Sequence, residues 1–344
     1  MLLRKLGSAK KAYLSTEKKL AGILGEKLAH RFFEFRESFD LASYFVRVRE
    51  NRISVKTLED KDFPENLKKI DNPPIVLYTK GKLKPQDRLA VAVVGTRLPT
   101  QYGKKITQNL VADLVSQEMT IVSGLAYGVD SIAHKAALEC GGRTIAVLGG
   151  GLDKVYPSSH RDLAEEITKR GALVSEFGLG AENLKGNFPS RNRIISGLSL
   201  GVLVTEGSRK SGTKITADWA KKQGRPIFAV PGPITSEMSK APSILIKMGA
   251  RLVESVDDVI EGLGLIKTGD RRQKAGEGDF KGKMAELTGD EKKIMRILRR
   301  VGECHFNKIV RLTGWSAAAV GSILSLMEIK GLVRVENGVY NINE

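Results

Sequence analysis

Residues 183–216 read NLKGNFPSRNRIISGLSLGVLVTEGSRKSGTKIT. Pro189 is a favoured first helical residue, so a helix opens there and carries Arg191-Asn192-Arg193. Val202-Leu203-Val204 is a short apolar strand that ends in Glu206-Gly207, and Ser211-Gly212-Thr213 opens the next helix. A strand that is apolar throughout, set between two helices, is the unit of a parallel sheet covered on both faces. The same stretch places a cation (Lys185), a flat ring (Phe188), guanidinium groups and free helix-end N–H groups close together. Those groups suit a phosphate backbone whose bases can be stacked. Neither paired carboxylates, metal ligands nor a nucleophile–base pair accompany them, so the stretch indicates a nucleic-acid binding site rather than a catalytic one.

Outward from this stretch, residues 89–262 alternate strand and helix. Strand candidates are 90–94, 120–123, 144–148, 172–176, 201–205, 226–230 and 250–253, each short, largely apolar and followed by glycine or a polar turn. Amphipathic helices, such as Ile106–Val115 and Asp130–Leu138, lie between them. The pattern predicts an α/β fold with a Rossmann-like, doubly wound parallel sheet. In such sheets ligands bind outside the carboxyl ends of the strands. The loops expected on that rim are Gly95-Thr96-Arg97, Gly124–Gly128, Gly149-Gly150-Gly151, Glu206–Gly212 and Pro231-Gly232-Pro233. Most are glycine-rich and let backbone approach a ligand closely.

The flanks differ in character. Residues 1–60 are helical by pattern, with Leu20, Ile23, Leu24, Leu28, Phe32 and Phe35 at three-to-four spacing and basic residues opposite. Residues 60–88 hold four prolines and the apolar run Ile75–Tyr78, read as a connector feeding an edge strand. Residues 265–287 are charged, glycine-rich and poor in apolar side chains, as in a flexible linker. Residues 288–344 predict a winged helix: a helix from Thr288-Gly289-Asp290-Glu291, a second over about 306–313, a third from Ser316 to Lys330, and a hairpin around Asn337-Gly338. The third helix has no basic residue before Lys330, which favours a protein contact or weak DNA binding over base readout. The expected domains are therefore 1–60, 61–264, the linker 265–287, and 288–344.

Composition narrows the partner. The chain has 344 residues with 56 Lys+Arg against 39 Asp+Glu, a formal charge of +17 that favours a polyanion. Its two cysteines, Cys140 and Cys304, are far apart and belong to no metal-binding pair. The first residues are too polar for a signal peptide, and no apolar run has transmembrane length. The expected location is the cytoplasm, with no membrane insertion, metal or cofactor.

Individual residues carry alternatives. Arg97 stands where a dinucleotide fold would place a bare glycine turn, so nicotinamide chemistry is disfavoured and a phosphate or base contact suits it better. Residues 207–214 resemble a phosphate-binding loop with its last two residues exchanged, which loses the ligands for magnesium and γ-phosphate but keeps an anion site at the helix start. Asp130 and His134 are four apart on one helical face and are expected to pair structurally, although Ser123 nearby keeps a hydrolase imaginable. Arg191 and Arg193 are two apart, point in different directions, and only one is expected in the pocket. Phe188 either stacks a base or packs in the core. Ser123, Gly124 and Asn192 complete the candidate nucleic-acid contacts, with Ser211, Gly212 and Thr213 at the helix start.

Together these motifs resemble the DNA-processing protein A family (DprA, also called Smf). The matching segments are VAVVGTR (91–97), SGLAYGVDSIAH (123–134), TIAVLGGGLDKVYP (144–157), SEFGLG (175–180), FPSRNRII (188–195), SGTKITADWA (211–220) and VPGPI (230–234). Residues 58–81 also resemble the family's lead-in to the Rossmann domain. The resemblance implies a non-enzymatic protein of natural transformation that binds single-stranded DNA, protects incoming strands and loads the RecA recombinase. It also implies a homodimer. It assigns DNA contact to Arg97, Lys185, Phe188 and Arg191-Asn192-Arg193. One departure is Ala241–Ile246, where the family has a Gly-x-Asn-x-Leu-Ile stretch. The alternative is a Rossmann-like nucleotide phosphoribohydrolase in which Glu206 acts.

Overall fold

The computed structural model describes residues 2–209, 211–265, 288–301, 304–330, 332–336 and 338–342. They form two compact units, residues 1–266 and 267–344.

The first unit is built on a nine-stranded sheet of order β1-β2-β6-β5-β4-β3-β7-β8-β9. Its strands are β1 Ile53–Thr57, β2 Val76–Gly81, β3 Ala90–Val94, β4 Thr120–Ser123, β5 Thr144–Val147, β6 Ala172–Ser175, β7 Gly201–Val204, β8 Ile227–Ala229 and β9 Arg251–Leu252. From β6 to β9 every pairing is parallel. The central strands are buried on both faces because successive side chains enter opposite cores. Along β3, Ala90, Ala92 and Val94 join one core, while Val91 and Val93 join the other. The main covering helices are α7 Gln101–Ser116, α8 Val129–Glu139, α9 Arg161–Arg170, α10 Asn187–Leu198 and α11 Thr213–Lys222, with α6 Glu65–Lys68, α12 Lys240–Lys247 and α13 Val256–Gly262 shorter. The doubly wound α/β reading holds, with one amendment: the sheet is mixed.

Two expectations are corrected at its antiparallel margin. Residues 53–57 are a strand, not the tail of a helical region, and they form the sheet edge. The helices preceding it are α1 Leu2–Leu6, α2 Ala9–Tyr13, α3 Glu17–Leu24, α4 Glu26–Ser38 and α5 Leu41–Glu50. The helical spacing stops at Asn51-Arg52, where Arg52 turns the chain at φ 55°, and the β-branched Ile53 and Val55 then alternate with polar residues. Consequently Ile75–Tyr78 does not feed an edge strand: β2 lies second in the sheet, antiparallel to both β1 and β6. Tyr44 ties α5 to this margin, donating to the Tyr78 hydroxyl (3.1 Å) and accepting from the Leu179 N–H (3.1 Å).

At the amino end of the parallel strands one buried ion pair organises four segments. Arg143 donates to both Asp87 oxygens (2.8 and 2.9 Å) and to the carbonyls of Arg170 (2.7 Å) and Lys82 (2.9 Å). Asp87 also accepts from Thr120 Oγ1 (3.0 Å) and the Lys84 N–H (2.7 Å).

The second unit has α14 Gly289–Val301, α15 Phe306–Thr313 and α16 Ala317–Ile329, with a three-stranded sheet of β10 Cys304–His305, β11 Val333–Glu336 and β12 Val339–Ile342. Its core holds Ile294, Leu298, Ile309, Val320, Leu324, Met327 and Val333. This is the expected winged helix. Asn337 of the hairpin turn, and residues 266–287 of the expected linker, lie outside the described residues. Gly314 ends α15 in the left-handed region at φ 71°. No single helix among the described residues is long and apolar enough to cross a membrane. The bent pair formed by α15 and α16 passes on composition alone, and its apolar side chains fill the winged-helix core.

Truncating Arg143 would leave the Asp87 carboxylate buried and uncompensated. Arg143→Ala is expected to lower unfolding free energy by about 3–5 kcal/mol in urea titrations.

Candidate nucleic-acid interface

The strand order reverses beside β3. From β3 the chain steps through β4, β5 and β6 in one direction, and from β7 through β8 and β9 in the other. The carboxyl ends of β3 and β7 therefore diverge into loops on either side of a crevice, the place where open α/β sheets bind ligands. A groove of about 600 Å³ lies there. It brings together Arg97, Lys185, Phe188, Arg191, Asn192, Ser211, Gly212 and Thr213.

Helix α10 supplies one wall. Phe188, Arg191, Asn192 and Ile195 line the groove, a spacing of three, four and seven that places them on one face. Pro189 is the third residue of this helix rather than the first, still within the turn whose N–H groups have no helical partner. Arg191 is buried and donates through Nη1 to the carbonyl oxygens of Gly124 (2.7 Å) and Val147. Burial lowers its pKa to about 10, opposed by the Asp130 charge and assisted by Arg97, so the group stays cationic at neutral pH. Burial likewise pushes Asp130 up, against the pull of Arg191 and the N–H groups of Ala126 and Gly124. A Cβ on Gly124 would lie 2.2 Å from the Arg191 guanidinium, so only glycine leaves room for it.

Arg193 leaves the groove. It is buried on another face, donates to both oxygens of Glu176 (2.6 and 2.7 Å) and to the Asn72 carbonyl (3.0 Å), and so serves the fold. Of the two arginines, Arg191 is the one that lines the groove. Ser123 and Gly124 are also displaced from their expected place. The Ser123 hydroxyl donates to the Val93 carbonyl (2.7 Å), and Gly124 lies behind Arg191 as its acceptor. They support the groove wall without lining it.

Phe188 is half-buried. One side packs against Gly149, where a Cβ would meet the ring at 3.1 Å. Tyr156 lies 5.6 Å away, centroid to centroid, and is 52% exposed. The groove thus holds two rings, and the second was missed in the sequence reading. The VYP ending of residues 144–157 contains it, but nothing in its spacing points to α10. Arg97, also on the groove's lining, is exposed on a loop fixed by two backbone bonds, Thr96 N–H to the Glu206 carbonyl (2.8 Å) and Val129 N–H to the Thr96 carbonyl (3.1 Å). At the start of α11 the Thr213 N–H donates to Ser211 Oγ (3.2 Å). Lys210 lies outside the described residues. The 149–151 and 231–233 loops, expected on the rim, do not line the groove; Gly149 underlies Phe188, and Pro231 accepts from the Tyr102 hydroxyl (2.7 Å).

Glu206 is turned away from the groove. Its buried carboxylate accepts from the Thr100 N–H (2.8 Å) and hydroxyl (2.6 Å) at the start of α7. Asp130 and His134 do not pair either. Asp130 accepts from the Gly124 N–H (3.1 Å), whereas His134 Nδ1 bonds Thr144 Oγ1 (2.6 Å). Thr144 Oγ1 gives its own proton to the Ile121 carbonyl (2.9 Å), which assigns the imidazole proton to Nδ1. Burial, then the charges of Arg191 and His160, hold His134 neutral with a pKa of about 3.

The family model described as DNA recombination-mediator protein A matches residues 54–264, and the DprA winged helix domain matches residues 281–338. Protein Smf of Synechocystis is 35% identical over 92% of this chain and 86% of its own length. DNA processing protein DprA of Bacillus subtilis is 41% identical over 65% of this chain and 74% of its own. Among solved structures, DprA of Streptococcus pneumoniae aligns with a TM-score of 0.67 at 36% identity, covering 76% of this chain and 90% of that one. DNA processing protein A of Helicobacter pylori, described for its single-stranded DNA binding mode, aligns with a TM-score of 0.55 at 32% identity, covering 62% and 95%.

His134 generates a pH prediction. Its unfolded pKa is near 6.5 and its folded pKa about 3, so the unfolded chain takes up the proton first as pH falls. Its contribution is full above about pH 6.5 and is lost as pH drops towards 3, at about 1.4 kcal/mol per pH unit. His134→Asn retains a donor for Thr144 and should reduce the slope of stability against pH by about one proton across this window. Urea unfolding at stepped pH reads that slope directly.

Proposed function

The chain belongs to the DNA recombination-mediator protein A family, and from that premise we propose that it binds single-stranded DNA in the switch-point groove during natural transformation. The observation that carries this reading is the convergence of cations and open rings at the carboxyl ends of β3 and β7. Arg97 and Lys185 take phosphates, and the buried Arg191 adds its positive charge to the groove. Phe188 and Tyr156 stack bases, each worth about 1–3 kcal/mol. Asn192 and the α11 start, Ser211–Thr213, offer donors to the backbone between them. The single-stranded DNA binding mode described for the H. pylori relative supports the choice of ligand.

In this reading the protein protects incoming strands in the cytoplasm, loads RecA, and acts as a homodimer without catalysing a reaction. Residues 61–264 are the DNA-binding domain, completed by strand β1. The winged helix of residues 288–344 serves a protein contact or weak DNA binding, since the outward positions of α16 carry no basic residue: Ala317, Ala318, Ser322 and Ser325 are uncharged and Glu328 is acidic. The phosphoribohydrolase reading has no observation in its favour, because Glu206 is committed to Thr100 and does not face the groove.

Replacing Arg97 and Lys185 with alanine should weaken oligo-dT binding and reduce the slope of log K against log salt by about 1.4, from about 0.7 per lost phosphate contact. Fluorescence anisotropy across a salt series measures both, and an unchanged slope would remove the assignment. Gly124→Ala should push the Arg191 guanidinium off its carbonyl acceptors and lower affinity about as much as Arg191→Ala does. Comparing the two variants by the same titration checks this.

A further inference from the structure

A second basic concavity lies at the other end of the sheet. Lys82 and Lys84 follow β2, Arg143 precedes β5, Arg170 ends α9 just before β6, and Arg52 leads into β1. Because β2 is antiparallel to both β1 and β6, these positions meet at the amino end of the parallel strands. They surround a cleft of about 920 Å³, with Lys80 on its wall. Among the described residues no carboxylate lines it.

The cleft is built rather than incidental. Arg143 spends its charge on Asp87, and in doing so pins the Lys82 and Arg170 carbonyls at two corners. Arg52, Lys82, Lys84 and Arg170 are exposed, and none has an acidic partner among the described residues. Arg52 is held at φ 55°, a region that side chains rarely occupy and that a glycine would enter more cheaply. Gly141, Gly142 and Gly171 leave bare backbone between the cations. The like charges gathered here cost stability unless a polyanion neutralises them.

The lining also differs in kind from that of the groove. Among the described residues it has no Phe, Tyr, Trp or His, so it has nothing on which to stack an unpaired base. It can hold phosphates only, which is the sequence-blind part of DNA recognition. We propose that this cleft is a second DNA site, one that grips the phosphate backbone of a double-stranded segment. One protomer would then hold an unpaired strand at the carboxyl end of the sheet and a duplex at the amino end. The proposal rests on the DNA-binding reading above.

The test uses the full chain carrying Lys82→Glu and Lys84→Glu, both exposed and remote from the groove. Affinity for a blunt duplex should fall at least about tenfold and its salt slope by about 1.8, from about 0.9 per phosphate contact, while short oligo-dT binding stays within about twofold. Arg97→Ala with Lys185→Ala should show the reverse split. Duplex binding that is undetectable in the parent protein, unchanged by the charge reversal, or abolished by the groove variant would overturn the cleft proposal and leave the groove reading standing. Failure of the groove variant to weaken oligo-dT binding would instead sink the groove reading alone. Inorganic phosphate that binds the parent, is lost on charge reversal and never competes with duplex would mark a small-anion site and also overturn the proposal. Thermal unfolding accompanies each variant, and Lys82→Gln with Lys84→Gln replaces the reversal if the latter melts early, with the same split required.

Discussion

A guanidinium buried at the end of a parallel sheet constrains much of the groove. Arg191 cannot be desolvated without acceptors, and the chain meets that need with the carbonyls of Gly124 and Val147, just past β4 and at the end of β5. Those bonds fix the azimuth of α10 over the strand ends. Phe188, one turn earlier on the same face, is thereby aimed into the crevice, with Lys185 just ahead of the helix. Gly124 is part of the same constraint, since a methyl group there would occupy the guanidinium's place. Asp130 balances the charge from below while capping the Gly124 and Ala126 amides.

The sheet gives the protein two chemically distinct ends. At the carboxyl end, loops separate because the strand order reverses, and cations alternate with rings. At the amino end, Arg143 and Asp87 draw loops together, and the side chains that line the cleft are cationic or neutral polar, with no ring among the described residues. A flat ring beside a cation favours unpaired bases, whereas cations alone favour a backbone whose bases are already stacked. The +17 charge of the chain is therefore best considered by location rather than as a total.

Several points that the sequence leaves open or misplaces share one cause. Arg191 and Arg193 look equivalent in Arg-Asn-Arg, yet one lines the groove and the other binds Glu176 and the Asn72 carbonyl. The 188/191/192/195 spacing of α10 held the signal that separates them, since it matches a single helical face. Asp130 and His134 are four apart, but their hydrogen bonds run to different elements. For Glu206 and Tyr156 no local pattern was available. The first is claimed by Thr100, more than a hundred positions away in the chain, and the second meets Phe188 only because two loops converge.

What the sequence determined by itself was the alternation of short apolar strands with amphipathic helices, the winged helix, and the set of cations and glycines from which a phosphate site could be made. Those are local properties, written in periodicity and residue type. Tertiary structure alone decided that β1 rather than β2 forms the sheet edge, that Glu206 is spent on a helix start, and that a second basic cleft assembles from four separate segments. Each of these depends on which distant group reaches a buried donor or acceptor first. Spacing along the chain does not encode that competition.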